Sequence, residues 1–197
     1  VCFLIINNLK LILNKKKYPT AVGDEGGFAP SLSRNEDAIE LIIEAVEMAG
    51  FEPGNDVSLC LDVAANELFK DGKYSIRSVN FETPEDTMKY YSDLIKKYPI
   101  SSIEDPFAED DWKSWISFTK MNPTIQIVGD DLFATNPERL LKGIKEKAGN
   151  AILIKPNQIG TLSETIKVIN LAHKNGYKTI VSHRSGDTED TFIADLA

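Results

Sequence analysis

Ile127-Val128-Gly129-Asp130 and Ile152-Leu153-Ile154-Lys155 are short apolar runs that each end on a charged side chain. Leu59-Cys60-Leu61-Asp62, Ser102-Ile103-Glu104 and Ile180-Val181-Ser182-His183 are built the same way. The endings fall at 62, 104, 130, 155 and 183. The last three intervals match one strand, one helix and two loops, which together take roughly 25–30 residues. Runs of this kind, alternating with helical patterns, specify parallel strands covered by helices. Three acids, a lysine and a histidine would then leave one rim of a single sheet, the rim on which barrels carry out chemistry.

Outward from these runs, most helices carry start or stop signals. Thr83-Pro84 and Asn136-Pro137 open helices near 84–97 and 137–147, Thr161 with Glu164 forms a capping box for 161–175, and Gly176 terminates it. Further helices are expected near 3–17, 111–120 and 188–197, together with one capped by Asn35 and running through Met48. Pro19 to Ser33, with three glycines and two prolines, reads as a loop. Phe69 to Asn80, centred on Asp71-Gly72, reads as a hairpin inserted after the first strand, which explains the long interval from 62 to 104. An open doubly wound sheet and a closed barrel both satisfy the alternation. The chain contains neither a G-x-G-x-x-G nor a Walker sequence, and functional residues on five successive strands favour the barrel.

The chain has 197 residues, 42% hydrophobic and 26% charged, enough for one core but fewer than the roughly 250 of a typical full barrel. A net charge of −8 argues against a nucleic-acid partner, which needs a basic footprint. Cys2 and Cys60 are too few for a disulfide framework, and Cys60, within an apolar strand, is expected to be a buried free thiol. The opening Val1 to Ile6 is too short to span a membrane. A reducing, cytoplasmic setting fits these features. The chain lacks an initiator Met and stops at Ala197 inside a helical pattern, so it is expected to be an internal segment of a longer protein.

Asp62, Glu104 and Asp130 offer hard oxygen ligands, and three converging carboxylates call for a cation, Mg²⁺ or Mn²⁺ before zinc. Acids facing water at strand ends are the alternative. Lys155 leaves a buried strand beside this charge. Desolvation and a nearby cation would lower its pKa and make it a general base, whereas a fixed ion pair with one of the acids would make it structural. Glu25, in Val22-Gly23-Asp24-Glu25-Gly26-Gly27-Phe28, has flanking glycines that permit a closable loop and a general-acid role; an ordinary acidic turn reads the same way. Ser182, His183, Arg184 and Ser185 suit a phosphate, or form a solvated loop. His173, near a helix C-terminus, reads as a surface residue.

Taken together, Gly23 to Pro30, Ser102-Ile103-Glu104-Asp105-Pro106, Gly129-Asp130-Asp131-Leu132, Lys155-Pro156-Asn157-Gln158-Ile159-Gly160 and Ser182 to Gly186 resemble the enolase (phosphopyruvate hydratase) family, bacterial type. The likeness runs in order over nearly the whole chain. One conservative departure is Asp187, where the family usually has Glu.

The resemblance implies a partial TIM-type (β/α) barrel over 1–197, about five of eight strands, with the N-terminal domain, the first strands and the last strand absent. It implies a glycolytic lyase that dehydrates 2-phospho-D-glycerate to phosphoenolpyruvate with Mg²⁺, reversibly in gluconeogenesis. Asp62, Glu104 and Asp130 would hold the metal, Glu104 and Asp130 also lying against substrate; Lys155 would take the C2 proton and Glu25 assist hydroxide departure. Ser182, His183, Arg184 and Ser185 would contact substrate, Arg184 and Ser185 at its phosphate. A cytoplasmic homodimer or higher homo-oligomer is implied for the full-length protein. Without the missing strands, the segment alone is expected to fold poorly and to be inactive. Two other readings are a truncated, non-catalytic paralogue serving as a binding protein and another lyase of the same superfamily.

Overall fold

Five strands lie side by side in strictly sequential order. The computed structural model describes residues 1–76, 79–81 and 83–197. Helices α1 (Cys2–Lys15) and α2 (Asn35–Met48) precede β1 (Leu59–Asp62). A one-turn 3₁₀ helix (Ala65–Leu68), then β2 (Phe69–Lys70), β3 (Lys73–Ile76) and β4 (Val79–Phe81), lead into α3 (Pro84–Lys97). The chain continues through β5 (Ile100–Glu104), α4 (Trp112–Met121), β6 (Gln126–Gly129), α5 (Pro137–Glu146) and β7 (Ala151–Ile154). It ends with α6 (Pro156–Ile159), α7 (Leu162–Lys174), β8 (Lys178–Val181) and α8 (Phe192–Leu196). The main sheet is β1-β5-β6-β7-β8, every pair parallel. A doubly wound sheet reverses its strand order at a switch point. This order never reverses, so the sheet is built as the arc of a barrel.

The pleat sorts the side chains. Ile103, Ile127, Ile152 and Ile154 join one cluster with Tyr91, Trp115, Phe118, Leu140 and Val168 of the covering helices. Val128, Ala151 and Leu153, with Ile180 against them, form a second cluster on the opposite face. Successive residues of a strand face opposite ways. Counting by twos from Val128, Leu153 and Ile180 carries Asp130, Lys155 and Ser182 onto this inner face. The register Leu61↔Ile103, Asp62↔Glu104, Glu104↔Val128 adds Asp62 and Glu104. All four residues of β7 are buried, as expected of a central parallel strand. Gly129 is required before Asp130, because a Cβ there would lie 2.6 Å from the Phe133 ring.

Most strand and helix boundaries fall within two residues of expectation, and the differences have local causes. Arg34, not Asn35, caps α2: its backbone N–H donates to Asp37 at 3.0 Å and its guanidinium at 2.6 Å. The helix expected at 188–197 contracts to Phe192–Leu196. There the Asp190 side chain accepts the Phe192 N–H at 2.8 Å, a local bond that competes with helix formation. Cys60 is exposed, correcting the buried thiol: it sits on the inner face of edge strand β1, in line with Asp62. The inserted hairpin turns through Asp71 (φ 52°) and Gly72 (φ 80°), the left-handed pair of a tight two-residue loop. It gains a third antiparallel strand, β4, and residues 77 and 78 of the hairpin lie outside the described residues. The Tyr74 hydroxyl docks it, donating to Asp111 at 2.8 Å and accepting the Ala108 N–H at 3.0 Å.

Candidate active site

At the C-terminal ends of the sheet strands a polar pocket of about 310 Å³ is lined by Glu25, Asp62, Glu104, Asp130, Lys155, Asn157 and Ser182 to Ser185, with Leu153 as its floor. Every site residue named from the sequence faces this one pocket.

Its acidic side is fastened by backbone bonds. Asp105 follows Glu104 and so points away from the pocket. It is 4% exposed, adopts φ 40°, and its two oxygens accept the N–H groups of Asp130 (2.9 Å) and Asp131 (2.8 Å). The end of β6 is therefore tied to the end of β5 through one carboxylate. Burial pushes the Asp105 carboxyl up to about 7, against the opposing pull of the two amides. Asp131 accepts from Asn66 at 2.8 Å, and the other end of that amide accepts the Glu109 N–H at 2.8 Å. This links the loop after β1 to the loops after β5 and β6.

Lys155 Nζ donates to Asp130 Oδ2, and both side chains are mostly enclosed, at 15% and 14% exposure. The contact pairs the amine with one of the acids, an arrangement that both the base and the ion-pair readings of Lys155 contain. Glu104 is pushed up to about 8, first by burial and then by the negative charges of Asp62, Asp130 and Asp105, with Lys155 opposing. Asp62, on the open edge strand, is raised by desolvation, countered by the Ala64 N–H that it accepts at 3.1 Å. Glu104 and Asp62, both driven toward their neutral forms, make a wall that a cation would suit, and an all-oxygen donor set suits a hard divalent ion. Among the described residues, the carboxylates whose oxygens all lie within 4.8 Å of one another are Asp105, Asp130 and Asp131. Asp105 has both oxygens engaged by amides, so it braces the site and is a poor ligand. Asp62, Glu104 and Asp130 share the pocket wall, but their oxygens are not gathered to that distance.

The opposite side is assembled from loops. Glu25 accepts the Ser185 hydroxyl at 2.8 Å and lies 3.1 Å from His183 Nε2, contacts that hold its carboxyl below the usual range. The glycine-rich loop is thereby brought across to the end of β8. Arg184 donates to Asn157 Oδ1 at 3.2 Å, and its backbone N–H to Asp187 at 2.8 Å. Aspartate is therefore long enough at 187 to close this turn. Ser182 donates to the His183 carbonyl at 2.9 Å. His173 stays outside the site, 2.9 Å from Thr179 Oγ1.

The sequence reading assigns no role to Asn66, Asp105, Thr135, Asn157 and Gln158, although Asp105, Asn157 and Gln158 stand within the motifs quoted above. The acid doublets Glu104-Asp105 and Asp130-Asp131 were the available signal, since adjacent residues at a strand end must face opposite sides.

Comparison with known proteins agrees in family and extent. Residues 3–197 match the family described as Enolase, C-terminal TIM barrel domain. The enolase of Pelagibacter ubique (strain HTCC1062) is 58% identical over 197 residues, 100% of this chain and 47% of its own length. The enolase of Bdellovibrio bacteriovorus is 55% identical over 194 residues, 98% of this chain and 46% of its own. The chain spans about half the length of the curated relatives it matches.

Proposed function

The chain belongs to the enolase C-terminal TIM barrel family, and on that premise we propose that it forms the catalytic barrel of a phosphopyruvate hydratase, dehydrating 2-phospho-D-glycerate to phosphoenolpyruvate. The observation that carries this reading is the pocket itself: a lysine among three acids on one side, and Glu25 with an Arg/Ser/His loop on the other.

Removing the C2 proton places a second negative charge on the substrate carboxylate, so the reaction needs concentrated positive charge and an enclosed base. Lys155 is that base in this proposal. Its backbone is fixed at the N-cap of α6. Asp62, Glu104 and Asp130 would hold Mg²⁺, which when bound supplies Lewis-acid stabilisation of the substrate carboxylate. Arg184 and Ser185 would take the phosphate, with His183 and Ser182 beside it. Glu25 would deliver a proton to the departing C3 hydroxyl. It is a carboxylate here, so that role requires it to gain a proton once the substrate's charge has taken over its contacts with Ser185 and His183. A glycolytic role in the cytoplasm and a homo-oligomeric state accompany this reading as family properties. No helix among the described residues is long and apolar enough to cross a membrane.

The test is direct. The full-length protein, given 2-phosphoglycerate and Mg²⁺, should form phosphoenolpyruvate, read by its ultraviolet absorbance, and chelation should stop the reaction. Absence of product with Mg²⁺ present would overturn the proposal.

A further inference from the structure

We propose that Thr135 is a positioning residue for the proton-transfer step, acting through Lys155 and Gln158; this rests on the enolase reading above. Thr135 is the last residue before the Asn136 cap of α5 and is 0% exposed. Ala134 (φ 46°) and Thr135 (φ 52°) are consecutive left-handed residues, and neither is glycine. A β-branched side chain in that region is a true outlier, and such conformations persist where the surroundings enforce them. The turn folds the chain back on Asp130, whose carbonyl accepts the Ala134 N–H at 2.7 Å.

The turn delivers a single hydroxyl to the end of the neighbouring strand. That hydroxyl accepts the Lys155 N–H at 3.0 Å and donates its one proton to Gln158 Oε1 at 2.7 Å. With its oxygen so committed, the Gln158 amide must present Nε2 to the other side, where it lies 3.5 Å from Asp130 Oδ1. The Lys155 amine holds the second oxygen of the same carboxylate. One hydroxyl therefore fixes the backbone that carries the base and the amide that steadies the base's partner.

Three properties separate this role from plain turn formation. A turn needs the backbone of Thr135 and no hydroxyl, whereas positioning needs the hydroxyl and tolerates loss of the methyl. Positioning also predicts that Gln158, which makes no bond that closes the turn, carries the same effect. Finally, misplacement of a base lowers turnover more than it weakens ground-state binding.

The experiment uses the full-length protein with 2-phosphoglycerate and Mg²⁺. Thr135→Val keeps the branched shape and removes the hydroxyl. It should lower kcat roughly 10- to 100-fold, the scale of a misplaced catalytic group, while KM changes far less. Thr135→Ser should restore most of the turnover. Gln158→Leu should reproduce the loss, and the double variant should be no worse than the more damaged single variant, because both act through one chain of bonds. The inference is overturned if folded Thr135→Val retains wild-type kcat, or if Thr135→Ser is impaired as much as Thr135→Val. If Thr135→Val does not fold, Gln158→Leu decides alone: undiminished kcat overturns the proposal. A wild-type protein that makes no phosphoenolpyruvate brings down the enolase reading and this inference with it. Wild-type turnover with unimpaired variants removes only the inference.

Discussion

The Lys155–Asp130 pair and the His183–Glu25 pair face each other across one pocket, but they are built differently. The first pair is 15% and 14% exposed and sits on buried central strands, braced by Asp105. The second is 58% and 76% exposed and joins two loops 158 residues apart in the chain. In the proposed reaction, the charge needed beforehand would stand on strands, and the groups that yield to the substrate's phosphate would stand on loops, where few bonds oppose their movement.

The largest effect should come from the fixed side. Lys155→Ala in the full-length protein is expected to lower kcat by about 10²–10⁴, the range for loss of a general base. Retained turnover in steady-state assays would reduce the pair to a structural ion bridge. Next, Asp105→Ala leaves the amides of Asp130 and Asp131 without a partner, each a loss of about 1–3 kcal/mol. Denaturant unfolding should show that loss, and an unchanged midpoint would show that the brace is dispensable.

The third effect is on pH. Glu104 titrates near 8 in the fold, above its usual value of 4.5, so the folded state binds more protons than the unfolded state between those limits. Stability of the metal-free protein should fall as pH rises from about 4.5 to 8 and level off beyond, with the slope reduced in Glu104→Gln. A slope of the opposite sign in a series of thermal melts would refute the assignment. The smallest change should come from the loop side: Glu25→Gln is expected to shift stability by under about 0.5 kcal/mol, as for an exposed residue, while still lowering turnover. A large loss of Tm would mean that the loop is as firmly built as the strands.

The strand ends were legible because each apolar run stops at a chemically distinct residue, and the pleat then fixes the facing side. Asp62, Glu104, Asp130, Lys155 and Ser182 could all be assigned this way. Glu25 was legible only as one half of an ambiguity, since nothing local says which distant loop it will meet. The role of Asp105 was hidden for a similar reason: its partners are backbone amides that become its neighbours only once β5 and β6 pair. Thr135 was harder still, because its left-handed backbone violates the preference of its own residue type. Cys60 misled because an apolar neighbourhood in sequence does not say which face of the strand the side chain takes, and the pleat puts it in line with Asp62.

The alternation along β7 makes this molecule tolerant of spelling and intolerant of length. Exchanging Ile152 for valine should trim one methylene from the packing, commonly about 0.5–1.5 kcal/mol, and leave the chemistry in place. Deleting any one residue between Ala151 and Ile154 would instead turn Lys155 toward the layer of Phe133, Leu140 and Val168 and put an apolar side chain in the pocket. Drift by substitution is thus open to these strands while drift by insertion or deletion is closed. Length variation should instead collect at the Asp71-Gly72 turn, whose tip is exposed and lies away from the pocket-lining residues.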